Sequence, residues 1–193
     1  TGGIYFGKRG RNKTDDYAYD TCEYNVNEIK RLAKIGFELA MKRSKKLCCI
    51  DKANVLETSR LWRQTVQSLE KNYPEVNVSY EFVDAVAMRL IHSPSYYDVL
   101  ITSNLFGDIL TDEASVISGS MGLMPSASVG VETSIYEPIH GSFPQAKGKN
   151  IANPLATILS ASMMFERSFH LHEESKLIRE LVNESISNNI VTK

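Results

Sequence analysis

The chain has 193 residues, of which 42% are hydrophobic and 23% are charged, a composition typical of a folded globular protein rather than a disordered one. Its 22 basic and 23 acidic residues leave a formal net charge of -1, so charge gives no reason to expect a nucleic-acid or membrane partner. No apolar run is long enough to cross a bilayer. The three cysteines, Cys22, Cys48 and Cys49, lack metal-ligand spacing, which favours reduced thiols and a cytoplasmic location.

The amino-terminal part of the chain carries little periodicity. Residues 1–7 are typical of a strand or a turn, and residues 8–24 are polar, so we expect a loop or a projecting hairpin arm over about residues 6–25. A helix is predicted from Asn27 to Arg43, because its apolar residues recur at helical spacing.

Strands and helices then alternate along the chain. Short apolar or alternating runs predict strands over residues 47–50, 78–83 and 97–102, and helical patterns follow them over residues 59–72, 85–91 and 104–113. Cys48 and Cys49 lie within the first of these strands, so we expect them to be buried packing residues. Strands that alternate with helices predict an α/β layered architecture.

Polar side chains follow each of these strands. Lys52 and Asp84 come directly after two of them, and Asp108 and Asp112 lie one helical turn apart after the third. Open α/β sheets bind ligands beyond the carboxyl ends of their strands, and carboxylates suit a hard divalent cation. The alternatives are a solvated lysine and a solvated acidic helix face, both of which are common on protein surfaces.

The last third of the sequence predicts a different organisation. Residues 118–128 are rich in small side chains and resemble a crossover between domains rather than a packed helix. Neither a G-x-G-x-x-G fingerprint nor a Walker loop is present, although glycines between residues 137 and 154 would let the backbone approach a bulky ligand. Asn153 is expected to cap a helix in which Pro154 is the first residue and which runs to about Arg167. An amphipathic helix is predicted from Glu173 to about Ser187.

Several of these segments, in this order, resemble the decarboxylating β-hydroxyacid dehydrogenases, the family of the isocitrate and isopropylmalate dehydrogenases. The segments that carry the resemblance are residues 51–62, 104–115, 119–128, 137–142 and 151–160. Val55 and the sequence that follows it to Trp62 favour isopropylmalate over isocitrate or tartrate as the substrate. The resemblance implies a two-domain α/β fold that is not a classical Rossmann fold. It also implies the oxidative decarboxylation of 3-isopropylmalate to 4-methyl-2-oxopentanoate with reduction of NAD, a step of leucine biosynthesis.

The resemblance implies roles for individual residues in the first part of the chain. Tyr5 matches the tyrosine that donates a proton after decarboxylation, and Lys52 matches the lysine that takes the substrate hydroxyl proton. Asn54 and Val55 match positions near the nicotinamide and the substrate side chain. The implied domains are residues 1–118, which would dimerise and bind substrate and metal, and residues 119–193, a partial cofactor-binding domain.

The family's metal and dinucleotide would also be held by residues of this chain. Asp84, Asp108 and Asp112 match the three aspartates that bind Mg²⁺ or Mn²⁺, and Asp84 also lies beside the substrate. The lysine and one aspartate of each subunit reach into the other subunit's site, so the resemblance implies a homodimer with shared active sites. Carboxylates and a lysine suit this chemistry, since the metal stabilises a developing alkoxide and the nicotinamide takes the hydride. Five residues match the part of the family's cofactor site that binds the adenosine of the dinucleotide: Glu137, His140, Gly141, Gln145 and Asn153.

Two departures from the family pattern qualify these expectations. Many members have an aspartate at the position of Gln145, so the preference for NAD over NADP is open. The family's substrate-binding arginines would lie before Thr1 and its last segment after Lys193, so we expect an incomplete fold that is inactive by itself. The alternatives are a sister enzyme that acts on homoisocitrate or tartrate, or an inactive remnant that only dimerises and binds metal.

Overall fold

Residues 2–190 and residue 192 are described by a computed structural model, in which the chain divides into two compact units. The first unit ends at Ala114 and the second begins at Ser115. The predicted domain boundary after residue 118 lies slightly further along the chain. The outer limits predicted for the two domains, Thr1 and Lys193, lie outside the described residues.

The first unit begins with a turn and a small hairpin. Strands β1 (Arg9–Arg11) and β2 (Ala18–Asp20) pair antiparallel, with Gly10 opposite Tyr19. Of the two alternatives expected for residues 8–24, a loop or a hairpin arm, the structure has the hairpin.

A three-stranded parallel sheet forms the centre of this unit, which confirms the α/β architecture. The strand order is β4-β3-β5, so the first of these strands in the chain lies in the middle. Crossover helices connect the strands, as parallel pairing requires. The elements in chain order are α1 (Val26–Met41), β3 (Lys46–Asp51), α2 (Glu57–Glu70), β4 (Asn77–Phe82), α3 (Val83–His92), β5 (Val99–Thr102) and α4 (Asn104–Ser115).

The central strand β3 is buried on both faces, because its alternate side chains enter two different cores. Leu47 and Cys49 pack with residues of α1 and α2, including Phe37 and Trp62. Cys48 and Ile50 pack on the opposite face with residues of α3 and α4: Val86, Leu90 and Leu110. The buried, unpaired Cys48 and Cys49 are therefore packing residues, as predicted.

Helix α1 is fixed at its start and in its middle. Asn25 and Glu28 form a capping box: Asn25 Oδ1 accepts from the N–H of Glu28 at 3.1 Å, and Glu28 Oε2 accepts from the N–H of Asn25 at 2.9 Å. A Cβ on Gly36 would overlap with Cγ2 of Ile101, so the missing side chain lets α1 lie close against β5.

The second unit combines a β-hairpin with two helices. Strands β6 (Pro125–Val129) and β7 (Ser134–Pro138) pair antiparallel, and both pack against α5 (Leu155–Arg167). Helix α6 (His172–Ser187) packs against α5. A crossover rather than a packed helix was expected over residues 118–128, and the structure has no α-helix there. The strand that begins at Pro125 and pairs with β7 was not predicted.

The start of α5 differs from its prediction by one residue. Pro154 is the capping residue and Leu155 is the first helical residue, whereas Asn153 was expected to be the cap. The expected hydrogen bond is nevertheless present, because Asn153 Oδ1 accepts from the N–H of Leu155 at 3.0 Å. Among the helices of residues 2–190, none combines the length and apolar character needed to span a bilayer.

Candidate active site

Lys52 and Asp84 meet at the carboxyl end of the parallel sheet. Lys52 follows the last residue of β3 and Asp84 lies in the first turn of α3, directly after β4. Because Asp51 and Phe82 are paired in register, the two side chains leave neighbouring strands at the same level. Lys52 Nζ donates a hydrogen bond to Asp84 Oδ1 at 2.5 Å. This bond holds the pKa of the Asp84 carboxyl below its usual value, so the carboxylate stays ionised.

The surroundings of Lys52 are half buried and partly aromatic. Its Nζ lies 5.7 Å from the centroid of the Phe82 ring, a distance at which the ring face attracts an ammonium group. Asn54 and Val55, the expected neighbours of nicotinamide and substrate, lie in the exposed loop after Lys52, and Val55 is 62% exposed. They are therefore accessible to a ligand at this end of the sheet.

Tyr5 and Asp108 form a second pair of predicted site residues. The Tyr5 hydroxyl donates to Asp108 Oδ2 at 3.0 Å, although the two residues are far apart in the sequence. This hydrogen bond, with some burial and the negative charge of Asp108, raises the pKa of the Tyr5 phenol. Tyr5 is therefore protonated at neutral pH and retains a proton that it can donate.

Helix α4 presents Asp108 and Asp112 on the same exposed face, one turn apart. Carboxylate oxygens are the ligands that Mg²⁺ and Mn²⁺ prefer, so the donor set fits the expected metal. Within the part of the chain that the structure describes, however, no three acidic, histidine or cysteine side chains cluster as a metal site. Asp84 is hydrogen-bonded to Lys52, and Asp108 is hydrogen-bonded to Tyr5.

Tyr24 ties the Tyr5 segment to α4, and sequence reasoning missed it. Its hydroxyl accepts from the N–H of Asn104, the first residue of α4, at 2.9 Å, and its ring packs edge-on against Trp62 with centroids 5.4 Å apart. Gly3, with a φ of +93°, leaves no room for a Cβ beside the Tyr24 hydroxyl. The only sequence signal was a tyrosine placed directly before the Asn25 cap of α1.

The expected nucleotide residues are found in the second unit. Glu137 lies in β7 and is exposed, and Gln145 is exposed in a short 3-10 helix, Pro144–Ala146. A Cβ on Gly141 would meet no atom within 4 Å, so the backbone is open to a ligand there. His140 donates from Nδ1 to the Gly141 carbonyl at 2.9 Å, and its Nε2 is buried with no partner among the described residues. Asn153 Oδ1 accepts a hydrogen bond from the N–H of Leu155 at the start of α5.

A cavity of about 250 Å³ lies at the opposite end of the sheet from Lys52 and Asp84. It is lined by the first residues of the three parallel strands, including Lys46, Asn77 and Val99. Open α/β sheets bind ligands beyond the carboxyl ends of their strands, so this cavity lies at the end of the sheet where no ligand is expected.

Sequence comparison supports the same family along the whole chain. The profile described as "Isocitrate/isopropylmalate dehydrogenase" matches residues 1–193. The 3-isopropylmalate dehydrogenase of Bacteroides fragilis strain YCH46 is 57% identical over 192 residues, which are 100% of this chain and 54% of that protein. The 3-isopropylmalate dehydrogenase of Clostridium acetobutylicum is 53% identical over 190 residues, 97% of this chain and 53% of that protein. The chain therefore spans about half the length of these curated relatives.

Comparison with solved structures supports the same family. The crystal structure of isocitrate dehydrogenase from Methylococcus capsulatus superposes with a TM-score of 0.92 at 33% identity, over 98% of this chain and 57% of that chain. A β-decarboxylating dehydrogenase from Thermococcus kodakarensis gives a TM-score of 0.85 at 33% identity, over 97% of this chain and 55% of that chain. With a matching profile from the first residue to the last and a shared fold, the chain belongs to the isocitrate/isopropylmalate dehydrogenase family.

Proposed function

We propose that the full-length protein is an NAD-dependent 3-isopropylmalate dehydrogenase of leucine biosynthesis. The identity of 57% to a relative of that name, against 33% to an isocitrate dehydrogenase, is the observation that carries the choice of substrate. The reaction converts 3-isopropylmalate and NAD⁺ to 4-methyl-2-oxopentanoate, CO₂ and NADH. We place it in the cytoplasm, where this small-molecule substrate would be made and used.

Lys52 is the proposed acceptor of the substrate hydroxyl proton. It lies at the carboxyl end of the sheet, beside Asp84 and the Phe82 ring, and only 27% of its side chain is exposed. When substrate and a divalent cation bind, its Nζ would release the hydrogen bond to Asp84 and pass one proton to solvent, because a neighbouring positive charge disfavours the ammonium form. The neutral amine would then take the hydroxyl proton as hydride leaves the carbon that carries the hydroxyl for the nicotinamide. Asn54 and Val55, in the loop that follows, would contact the nicotinamide and the isopropyl group.

Tyr5 is the proposed donor that completes the reaction. Loss of CO₂ leaves a carbon that must gain a proton, and the raised pKa of the Tyr5 phenol keeps a proton available at neutral pH. Its hydrogen bond to Asp108 fixes the hydroxyl next to the face of α4 on which the substrate carboxylates would lie.

The three aspartates would hold Mg²⁺ or Mn²⁺ between two copies of the chain. Asp108 and Asp112 would come from one subunit and Asp84, with Lys52, from its partner, since the described residues of one chain bring no three such ligands together. When bound, the cation supplies charge stabilisation to the substrate oxygens. Exposed apolar side chains on the same helices support a homodimer: Met88 and Ile91 of α3 and Ile109 of α4 are 70%, 76% and 57% exposed.

The dinucleotide would be bound by residues of the second unit. Gly141 leaves its backbone open, and one ring nitrogen of His140 has no partner among the described residues. Glu137 and Gln145 are exposed polar groups near them in the chain. Gln145 can donate to or accept from ribose hydroxyls but carries no negative charge to repel a 2′-phosphate, so we expect NAD to be preferred over NADP by a smaller margin than an aspartate would give.

The test is a steady-state assay of the full-length protein with NAD, Mn²⁺ and a panel of 2-hydroxy acids. We expect NADH formation with 3-isopropylmalate at a kcat/KM that exceeds those for isocitrate, homoisocitrate and tartrate. A higher value for one of the other acids would replace the substrate within the same chemistry. Mn²⁺ binding without turnover of any of the four would instead support a dimerising, metal-binding protein without activity.

A further inference from the structure

Asp51, the residue before Lys52, is a buried carboxylate with a complete set of partners. It is 1% exposed and accepts two hydrogen bonds from Arg63 of α2, from Nε at 2.8 Å and from Nη2 at 3.1 Å. Burial of a carboxylate is costly unless such a bidentate pair and further donors compensate it. The third donor is the N–H of Ala53, which binds Asp51 Oδ1 at 2.9 Å.

The backbone of residues 52–56, which we call the Lys52 loop, is held at several further points. The N–H of Lys52 donates to Oγ of the buried Ser59 at 3.0 Å. The carbonyl of Lys52 accepts from the N–H groups of Val55 and Leu56, both at 2.9 Å. Both backbone polar groups of Lys52 are therefore bound within the loop or to α2, and its Cα has little freedom.

The same arginine also lies against the ring that Lys52 contacts. The Arg63 guanidinium carbon is 5.4 Å from the Phe82 ring centroid, and Lys52 Nζ is 5.7 Å from the same centroid. Phe82 is the last residue of β4, and Asp84 lies in the first turn of α3, which follows directly. Arg63 thus contacts both the carboxylate that anchors the loop and the ring along which the lysine extends.

We propose that the Asp51–Arg63 pair, together with Ser59, is a positioning device that sets the conformation of the Lys52 loop and directs Lys52 Nζ to Asp84. Lysine is a flexible four-carbon side chain, so a fixed backbone and a packed ring reduce the conformations that Nζ can adopt. A displacement of about 1 Å in a catalytic group can lower a rate by about a hundredfold. The role of Lys52 as a base rests on the proposed function, whereas the anchoring of the loop does not.

The first measurement is hydrogen–deuterium exchange of the full-length protein, read by mass spectrometry over residues 51–56. Arg63→Lys keeps the charge but loses the bidentate fork. The matched control is Arg89→Lys, since Arg89 also pairs with a carboxylate, Glu81 at 2.8 Å, and lies 4.4 Å from an aromatic centroid, Tyr96. We expect exchange to be about tenfold faster in Arg63→Lys and unchanged in Arg89→Lys.

The second measurement is a double-mutant cycle with the base itself. Arg63→Lys should lower kcat for 3-isopropylmalate by about tenfold to a hundredfold, with KM changed less than threefold, since positioning acts on the chemical step. In the Lys52→Met background the same change should leave the residual rate within about twofold, because there is no longer a base to position. A merely structural arginine would reduce both rates by the same factor.

The outcomes separate the inference from the proposed function. Equal exchange in Arg63→Lys and Arg89→Lys, or an equal loss of rate with and without Lys52, would overturn the inference. Absence of turnover in the unmodified protein would overturn the proposed function and leave exchange to decide the anchoring. If Arg63→Lys does not fold, Ser59→Ala replaces it, since this variant removes only the acceptor of the Lys52 N–H and should also accelerate exchange over residues 51–56.

Discussion

At the scale of single residues, replacing Lys52 would show whether this lysine is a catalytic base or a surface charge. Lys52→Met should lower kcat by about a hundredfold or more, because it removes the proposed acceptor of the hydroxyl proton. Mn²⁺ affinity, measured by calorimetric titration, should change little, since Asp84, Asp108 and Asp112 remain. Asp108→Asn is the converse control and should weaken Mn²⁺ binding first. An unchanged kcat in Lys52→Met would return the lysine to the role of a surface charge.

Tyr5 makes a second residue-scale prediction. Tyr5→Phe removes the phenol proton while keeping the ring, so kcat should fall by about a hundredfold with less effect on the KM for NAD. The raised pKa of Tyr5 also sets a direction for pH: the donor form persists through the neutral range and is lost only under strongly alkaline conditions. A pH–rate profile in which activity falls as the pH rises from 7 to 9, and in which Tyr5→Phe abolishes that fall, would contradict the assignment.

Residue pairs differ in how far the sequence could predict them. The contact of Lys52 with Asp84 follows from elementary topology, because both residues directly follow strands and the carboxyl ends of parallel strands meet at one edge of the sheet. The Asp51–Arg63 pair does not, because nothing in the sequence indicates which of many arginines faces a buried strand end. The bond from Asn104 to Tyr24 joins residues 80 positions apart, and only the tertiary fold brings them together.

At the scale of elements, Gly36 sets how closely α1 approaches β5. An alanine within a helix is normally stabilising by about 1 kcal/mol relative to glycine. Here its Cβ would overlap with Cγ2 of the buried Ile101, and relieving such overpacking costs about 1–3 kcal/mol. The packing cost should win, so we expect Gly36→Ala to lower the Tm.

The control for this prediction is a glycine within α4. A Cβ on Gly107 would lie 3.2 Å from Cγ2 of Thr102, a tight contact that a small shift of one methyl group relieves. Gly107→Ala should therefore be neutral or stabilising when Tm is measured by calorimetry. A higher Tm for Gly36→Ala than for the unmodified protein would show that α1 can move away from the sheet at little cost.

Asp98 joins the end of α1 to the start of β5 and gives the fold a dependence on pH. Its Oδ2 accepts from the Oγ and N–H of Ser44, and its Oδ1 accepts from Nε of Arg43 at 2.6 Å. The Ser44 hydroxyl, followed by Arg43, holds the pKa of Asp98 below its usual value. A depressed carboxyl pKa contributes stability above the unfolded value, near 3.9, and loses it as the pH falls through the folded value.

Asp98→Asn should therefore lower the free energy of unfolding by about 2 kcal/mol at pH 7 and make a smaller difference at pH 3, which lies below the unfolded pKa near 3.9. Urea titrations of the full-length protein at both pH values would measure this. Glu75→Gln is the control, because the Glu75–Lys45 pair is exposed on both sides and should contribute little at either pH. An Asp98→Asn effect of equal size at pH 3 would mean that charge is not the cause.

Elements were predictable where periodicity is strong and unpredictable where small residues hide it. Helices α1, α2 and α6 carry apolar stripes, and their predicted ends lie within a few residues of the observed ones. Strand β6 has the sequence Pro-Ser-Ala-Ser-Val, in which the side chains are too small to alternate visibly. It forms because β7 pairs with it and α5 covers both strands, which are tertiary effects that override local propensity.

At the scale of the whole molecule, the described residues of one chain bring no three acidic, histidine or cysteine side chains together as a metal site. The residue pattern by itself does not indicate which carboxylates belong to which subunit, and only the family resemblance implies a site shared between two subunits. The exposed side chains of Met88, Ile91 and Ile109 on α3 and α4 are consistent with the proposed homodimer.

Mixing two inactive variants would test this division directly. In a Lys52→Met homodimer every site lacks the base, and in a Tyr5→Phe homodimer every site lacks the donor. If Lys52 of the partner subunit completes each site, a mixed dimer has one site that combines an unmodified Tyr5 with an unmodified Lys52 and another that has neither. Random reassociation makes half of the dimers mixed, so activity should recover to about one quarter of the unmodified value.

Recovery should follow subunit exchange in time and be absent when Lys52→Met is mixed with itself. If the mixture stays as inactive as its components although mass spectrometry detects mixed dimers, then Lys52 and Tyr5 of the same chain serve the same site, and the division of the aspartates between subunits would have to be abandoned.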